Sequence, residues 1–218
     1  LIGFILIIGH VNAQVNDPDP MRFKSQINAF DSLDNCYLPK GNIVLFVGSS
    51  SFRMWNEAAN VFSKYHAVNR GFGGSHFSDV HYFFDELIVR YSPKTILLYE
   101  GDNDIAHGKS PERVRDDFKK LVDRIKSETT VENIALVSIK PSPARWNISN
   151  KMIDANNLMK EYCANQPDVS FIDIWPLMLN ADNKPDKQLY IGDGVHMNQC
   201  GYKLWEKKML EYLENLPH

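Results

Sequence analysis

The sequence predicts an α/β protein, a parallel five-stranded sheet covered by helices on both faces in a three-layer α/β/α arrangement. Short apolar runs recur at 42–47, 67–69, 95–99, 134–139 and 169–173. Segments with apolar residues at helical spacing separate them, so strands and helices alternate as in successive βαβ units. Ile43-Val44-Leu45-Phe46-Val47 and Ile134-Ala135-Leu136-Val137 are apolar at every position rather than at every second one. A strand reads that way when both of its faces are buried, as in a parallel sheet.

Length and charge narrow the class further. With 218 residues, 44% hydrophobic and 23% charged, the chain suits one domain with a sizeable core. Lys and Arg number 24 against 27 Asp and Glu, a net charge of −3, which removes the basic excess a nucleic-acid partner would need. Fixed-period repeats, charge blocks and low-complexity tracts are missing.

Residues 1–13, LIGFILIIGHVNA, are too short to span a bilayer but match the apolar part of a secretory signal. Cleavage after Val11-Asn12-Ala13 would leave Gln14 as the mature start. We therefore expect 1–13 to be the remnant of a signal peptide, 14–218 to be a single domain, and the protein to be exported (periplasmic or extracellular). The alternative is a buried N-terminal strand. No cysteine follows the cleavage site, so a lipid anchor is not indicated. The cysteines, Cys36, Cys163 and Cys200, allow one disulfide at most and read as buried apolar residues.

Asp17-Pro18-Asp19-Pro20 reads as an extended linker. Phe23, Ile27, Phe30 and Leu33 then fall on one helical face over 21–35. The strand at 42–47 ends at Gly48, three serines follow, and Phe52-Arg53-Met54-Trp55 opens a helix. A strand at 67–69 runs into Arg70-Gly71-Phe72-Gly73-Gly74-Ser75, whose glycines imply backbone that a side chain would forbid. Phe77 to Val89 reads as helix, and Thr95-Ile96-Leu97-Leu98-Tyr99 as a buried strand ending at Glu100-Gly101-Asp102-Asn103-Asp104. Pro111 opens a long helix carrying Val114, Phe118, Leu121, Val122 and Ile125, with proline at a favoured first-turn position. After the strand at 134–139 come a loop over 140–146, a helix near 148–165 and the strand at 169–173. An irregular segment then reaches Asp193-Gly194-Val195-His196, and a closing helix carries Tyr202, Trp205 and Leu210.

The chemically richest turns follow the first three strands and precede the last helix, and a parallel sheet gathers such turns along one edge. Ester hydrolysis through a serine needs a nucleophile, an imidazole to take its proton, an acid to orient the imidazole, and donors for the oxyanion. His196 lies three residues after Asp193, so a turn must fold the two side chains together. On chemistry alone Ser49, Ser50 or Ser51 could be the nucleophile, or one of them could simply cap a helix. An N–H near Gly74 and the amide of Asn103 are the neutral donors on offer.

Taken together, the segments resemble the four sequence blocks of the SGNH (GDSL-type) hydrolases, a family of serine esterases, lipases and carbohydrate deacetylases. Gly48-Ser49-Ser50 resembles its Gly-Asp-Ser block, Gly71-Phe72-Gly73-Gly74 the second block, and Gly101-Asp102-Asn103-Asp104 its Gly-x-Asn-Asp. Asp193-Gly194-Val195-His196 resembles its Asp-x-x-His, and the resemblance covers roughly 42–212. It implies the SGNH hydrolase fold with its flavodoxin-like parallel sheet, a Ser50–His196–Asp193 triad, an oxyanion hole of Ser50 N–H, Gly74 N–H and Asn103, and no cofactor or metal. Ser49 stands where many members carry Asp. Ser49, Arg145 and Trp146 are candidate substrate contacts, and Trp146, Trp175 and Tyr190 candidate rim residues. With no long lid in the sequence, the expected substrate is a short-chain, chiefly acetyl, ester of a carbohydrate or other small molecule. The alternative within the family is lysophospholipid or other long-acyl hydrolysis.

Readings of other classes compete. Glu100, Asp102 and Asp104 with His107 could form a metal site. Cys200, four residues after His196, suggests a Cys-His hydrolase. A catalytically silent carbohydrate-binding module would keep the fold and turn over nothing. His76 and His107 flank the second and third blocks and could face the cleft or be solvated.

Overall fold

The computed structural model describes residues 15–36, 38 and 41–216. Its strands are β1 (Val44–Gly48), β2 (Val68–Gly71), β3 (Thr95–Tyr99), β4 (Asn133–Val137) and β5 (Val169–Ile172). All pair in parallel, in the order β2-β1-β3-β4-β5, the flavodoxin-like order. The helices in chain order are α1 (Lys24–Cys36), α2 (Ser50–Arg53), α3 (Ala58–Val61), α4 (Phe77–Tyr82), α5 (Phe84–Leu87), α6 (Asp102–Ala106), α7 (Pro111–Glu128), α8 (Ser149–Ala164) and α9 (Gln199–Glu214). The expected signal segment, 1–13, and Gln14 lie outside the described residues.

Alternation along β1 produces the three layers. Leu45 and Val47 point into one core with α1, α4, α5, α7 and α8, while Val44 and Phe46 point into another with α2 and α9. Every residue of β1 and β3 is buried, which is why those runs carry no polar alternation. The α7 face anticipated from spacing is the one that packs, with Val114, Phe118, Leu121, Val122 and Ile125 all buried.

Some expectations need correction. The helix read over Phe77–Val89 is broken into α4, α5 and a 3-10 turn at Val89–Tyr91. Phe83 and Phe84 are adjacent yet both buried, at 1% and 0% exposure, which one continuous amphipathic face cannot achieve; the chain unwinds at Phe83 (φ −93°, ψ 29°) and both rings reach the core. Leu33 is exposed, so the core face of α1 ends before it. Only Cys163 behaves as a buried apolar residue; Cys36 and Cys200 are exposed, and all three are free thiols. Among the described residues no helix is long and apolar enough to cross a membrane.

Gly48 fixes the place where the chain leaves β1. Its φ is +141°, and a Cβ there would drive into the backbone carbonyl oxygen of Tyr99 on the neighbouring strand. Gly48→Ala is expected to destabilise the protein by about 2–5 kcal/mol, combining backbone strain and overpacking. For a domain of this size that lowers Tm by roughly 5–20 °C, which calorimetry would read.

Candidate active site

The strand order reverses between β1 and β3, and open α/β sheets form a crevice at such a switch point beyond the strands' carboxyl ends. Gly48 is in register with Tyr99 there, so the turns after β1 and β3 emerge side by side. The Ser49 N–H donates to the Tyr99 carbonyl at 3.0 Å, and the Ser49 carbonyl accepts from Phe52 N–H at 2.9 Å. Ser50 is thereby set at the first position of α2. Ser49 and Ser51 are each only 2% exposed, whereas Ser50 is half-buried and its Oγ meets His196 Nε2. Burial therefore removes Ser49 from the substrate contacts, and it separates Ser50 from its two neighbours in a way that residue chemistry could not.

The turn after β2 is held close by backbone and by α1. Phe72 N–H donates to the Gly48 carbonyl at 2.8 Å, and Gly73 N–H donates to Gln26 Oε1 at 3.0 Å. Gly74 follows at φ +65°, exposed, with nothing within 4 Å of where a Cβ would sit. Asn103, in the first turn of α6, donates Nδ2 to the Ser75 carbonyl at 3.0 Å, which ties the third turn to the second.

The fourth segment completes the arrangement. Asp193 Oδ1 accepts from the backbone N–H groups of Val195 and His196, each at 2.9 Å, so the carboxylate folds its own turn around itself. Its other oxygen lies 2.6 Å from His196 Nδ1, and His196 Nε2 lies 2.8 Å from Ser50 Oγ. Burial acts to raise the Asp193 pKa, but hydrogen bonds from the His196 ring and from the two amides outweigh it and hold the carboxyl at about 2. A permanently ionised Asp193 facing Nδ1 favours the tautomer with its proton there, leaving Nε2 free to accept from the serine. The structure thus brings Ser50, His196 and Asp193 into one hydrogen-bonded series, with Gly74 and Asn103 on the neighbouring turns.

The acidic residues after β3 do not converge. Asp102 Oδ2 pairs with Lys140 Nζ at 2.9 Å and Oδ1 with Arg145 Nη1 at 2.6 Å. Burial opposes its charge, but Lys140 and Arg145 bring the Asp102 carboxyl down to about 2. Asp104 pairs instead with Lys109 at 2.7 Å, and burial lifts it to about 6 despite that cation. Glu100 accepts from the Ser75 hydroxyl, and burial followed by the nearby Asp104 pushes it well above the carboxylate range. With the carboxylates turned to separate partners, no group of three or more His, Cys, Asp or Glu among the described residues is placed to hold a metal. The metal reading of Glu100, Asp102, Asp104 and His107 loses its geometric support.

Other candidate residues are redistributed. Arg145, expected at substrate, spends its guanidinium on Asp102 and on Asn103 Oδ1, the latter at 3.0 Å. Trp146 is half-buried and stacks on Trp175 with ring centroids 6.2 Å apart. Tyr190 is not a rim residue; it is 6% exposed and donates its hydroxyl to the Pro141 carbonyl. His76 is buried rather than solvated, and burial followed by the charge of Lys109 pushes it down to about 3. His107 is exposed and meets His76 edge-on at 5.3 Å. Cys200 is exposed at the start of α9, while the imidazole faces Ser50 instead. Sequence reasoning missed Gln26 and Lys140. Lys140, one residue beyond an apolar run, carried a faint signal as a charge at the end of a buried strand; Gln26 carried none.

The all-parallel order β2-β1-β3-β4-β5, covered by helices on both faces, is that of the three-layer SGNH hydrolase fold. The chain belongs to the GDSL-like lipase/acylhydrolase family, whose model matches residues 44–204. That membership makes it an esterase or acylhydrolase at the level of the family. Among solved structures it is similar to a candidate platelet activating factor from Streptococcus pneumonia, with TM-score 0.77 and 20% identity, covering 88% of this chain and 94% of that one. A GDSL-like lipase from Bacteroides thetaiotaomicron gives TM-score 0.70 and 20% identity over 90% and 97% of the two chains. A catalytic mutant of an acetylxylan esterase from Geobacillus stearothermophilus gives TM-score 0.65 and 14% identity over 79% and 94%. At these identities the likeness is one of fold. The N-acylneuraminate cytidylyltransferase of Escherichia coli is 24% identical over 88% of this chain, yet the match spans only 43% of that relative.

Proposed function

We propose that the protein is a serine esterase that cleaves short-chain, chiefly acetyl, esters of carbohydrates. The observation that carries the mechanism is the series Ser50 Oγ, His196 Nε2, His196 Nδ1, Asp193 Oδ2, with separations of 2.8 and 2.6 Å across its two hydrogen bonds. Ser50 Oγ attacks the ester carbonyl carbon while its proton passes to Nε2, and Asp193 stabilises the imidazolium that forms. The negative charge arising on the carbonyl oxygen is met by the N–H groups of Ser50 and Gly74 and by Asn103 Nδ2. Collapse expels the alcohol, which takes the proton from Nε2. Water then attacks the acyl-enzyme with His196 as base, releasing the acid and restoring Ser50.

Trp146 lies one residue beyond Arg145, whose guanidinium donates to Asn103 Oδ1, and its indole stacks on Trp175. Half-exposed indoles present the flat apolar face on which a sugar ring packs. Trp175 also lines a cleft of about 160 Å³ whose polar groups include Asn157 and the Lys160–Asp173 ion pair, suited to hydroxyls, although none of Ser50, Gly74, Asn103 or His196 lines it. Export, expected from residues 1–13, fits a glycan substrate met outside the cytoplasm and belongs to the same proposal.

A p-nitrophenyl series from acetyl to decanoyl, run beside acetylated xylo- and chito-oligosaccharides, tests the substrate. We expect kcat/KM to fall at least about tenfold between acetyl and octanoyl, a difference of 1.4 kcal/mol in transition-state binding, and acetate to be released from a glycan. Equal or better turnover of long chains, with no glycan deacetylated, would replace this reading by lysophospholipid or other long-acyl hydrolysis.

A further inference from the structure

We propose that Arg145 is a positioning residue that sets the orientation of the Asn103 amide, so that its nitrogen and not its oxygen faces the developing oxyanion. The inference rests on the reading of Asn103 as an oxyanion donor. A side-chain amide has nearly the same shape with its two ends exchanged, but the exchanged form would aim a carbonyl dipole at an anion. Two contacts decide between the forms. Asn103 Nδ2 donates to the Ser75 carbonyl at 3.0 Å, and Asn103 Oδ1 accepts from Arg145 Nη2 at 3.0 Å. Exchange would set oxygen against the Ser75 carbonyl and an NH2 group against a guanidinium.

The guanidinium is itself held in place. Its Nη1 donates to Asp102 Oδ1 at 2.6 Å, and the opposite carboxylate oxygen is occupied by the fully buried Lys140 at 2.9 Å. Its backbone is anchored as well, since the neighbouring Ala144 N–H donates to the Gly194 carbonyl at 3.1 Å, inside the turn that presents His196. The 3-10 segment Pro143–Ile148 therefore joins the oxyanion side of the crevice to its base side. A planar fork can bridge Asp102 and Asn103 together, and a lysine ammonium cannot reproduce that geometry. The cation on Oδ1 also polarises the amide, which strengthens Nδ2–H as a donor.

Arg145→Lys, Asn103→Ala and the double variant test the assignment with p-nitrophenyl acetate. We expect Arg145→Lys to lower kcat about tenfold with KM within about twofold, and to cost less than about twofold further once Asn103 is alanine. A raised KM at unchanged kcat would mean that Arg145 contacts substrate, and losses that multiply in the double variant would mean that it acts independently of Asn103. Either result overturns the proposal. A second readout needs no turnover: the side-chain amide proton pair of Asn103, identified in a 15N spectrum by its loss in Asn103→Ala. We expect that pair to shift in Arg145→Lys; an unmoved pair overturns the proposal even where ester hydrolysis is seen. Conversely, a shifted pair in a protein that hydrolyses no ester would leave the positioning intact and sink the esterase reading. If Arg145→Lys does not fold, Arg145→Gln serves in the same two measurements.

Discussion

Replacing His196 by alanine is expected to lower kcat on p-nitrophenyl acetate by roughly 10⁴- to 10⁶-fold, with the circular dichroism spectrum unchanged. The size follows from its place in the series. Nε2 is 2.8 Å from Ser50 Oγ, and serine is a weak nucleophile unless its proton has somewhere to go. The fold should tolerate the change, because the Asp193 side chain also caps the backbone of Val195 and of residue 196, contacts that need no imidazole. Asp193→Asn is expected to cost less than His196→Ala, since its side chain is 43% exposed and water can take over part of the orienting role. The pH–rate profile separates the two groups. The hydrogen bonds that hold Asp193 at about 2 keep it ionised at any ordinary assay pH, so the wild-type profile should show no step from this carboxyl above about pH 3. A step there that disappears in Asp193→Asn would contradict that.

Asn103→Ala is expected to lower kcat by about 10²- to 10³-fold while KM changes only a few-fold. The donor it removes is wanted in the transition state, where the carbonyl oxygen becomes an anion, and hardly at all in the ground state. Asn103→Asp should be worse than alanine, because it sets a carboxylate oxygen where the anion forms. Loss of KM alone in Asn103→Ala would show that the amide binds substrate uniformly and is not part of an oxyanion hole.

Much of this was legible in the residues. The unbroken apolar run of β1, the period of α7 and the order of the four turns are local patterns that tertiary packing did not override. What stayed hidden depends on burial and on the direction in which side chains leave the backbone. Nothing in Ser49-Ser50-Ser51 says which hydroxyl meets His196; the turn at Gly48, packed against Tyr99, buries Ser49 and Ser51 and leaves Ser50 to the imidazole. Asp102 and Asp104 looked like a convergent pair, yet positions two apart on a helical turn point to different sides, one to Lys140 and the other to Lys109. Arg145 and Tyr190 read as surface residues on loops, and the partners that claim them lie 42 and 49 positions away in the chain. Aromatics on irregular segments gave no period from which burial could be read, so Tyr190 and Trp175 could not be told apart in advance.

The most direct test of the account is to label the protein with a serine-directed fluorophosphonate and map the adduct by peptide mass spectrometry. One phosphonyl group per chain, carried on Ser50, absent from Ser50→Ala and paralleled by loss of p-nitrophenyl acetate hydrolysis that chelators leave untouched, is the predicted result. An adduct on Ser49 or Ser51, or chelator-sensitive hydrolysis that survives in Ser50→Ala, would contradict it.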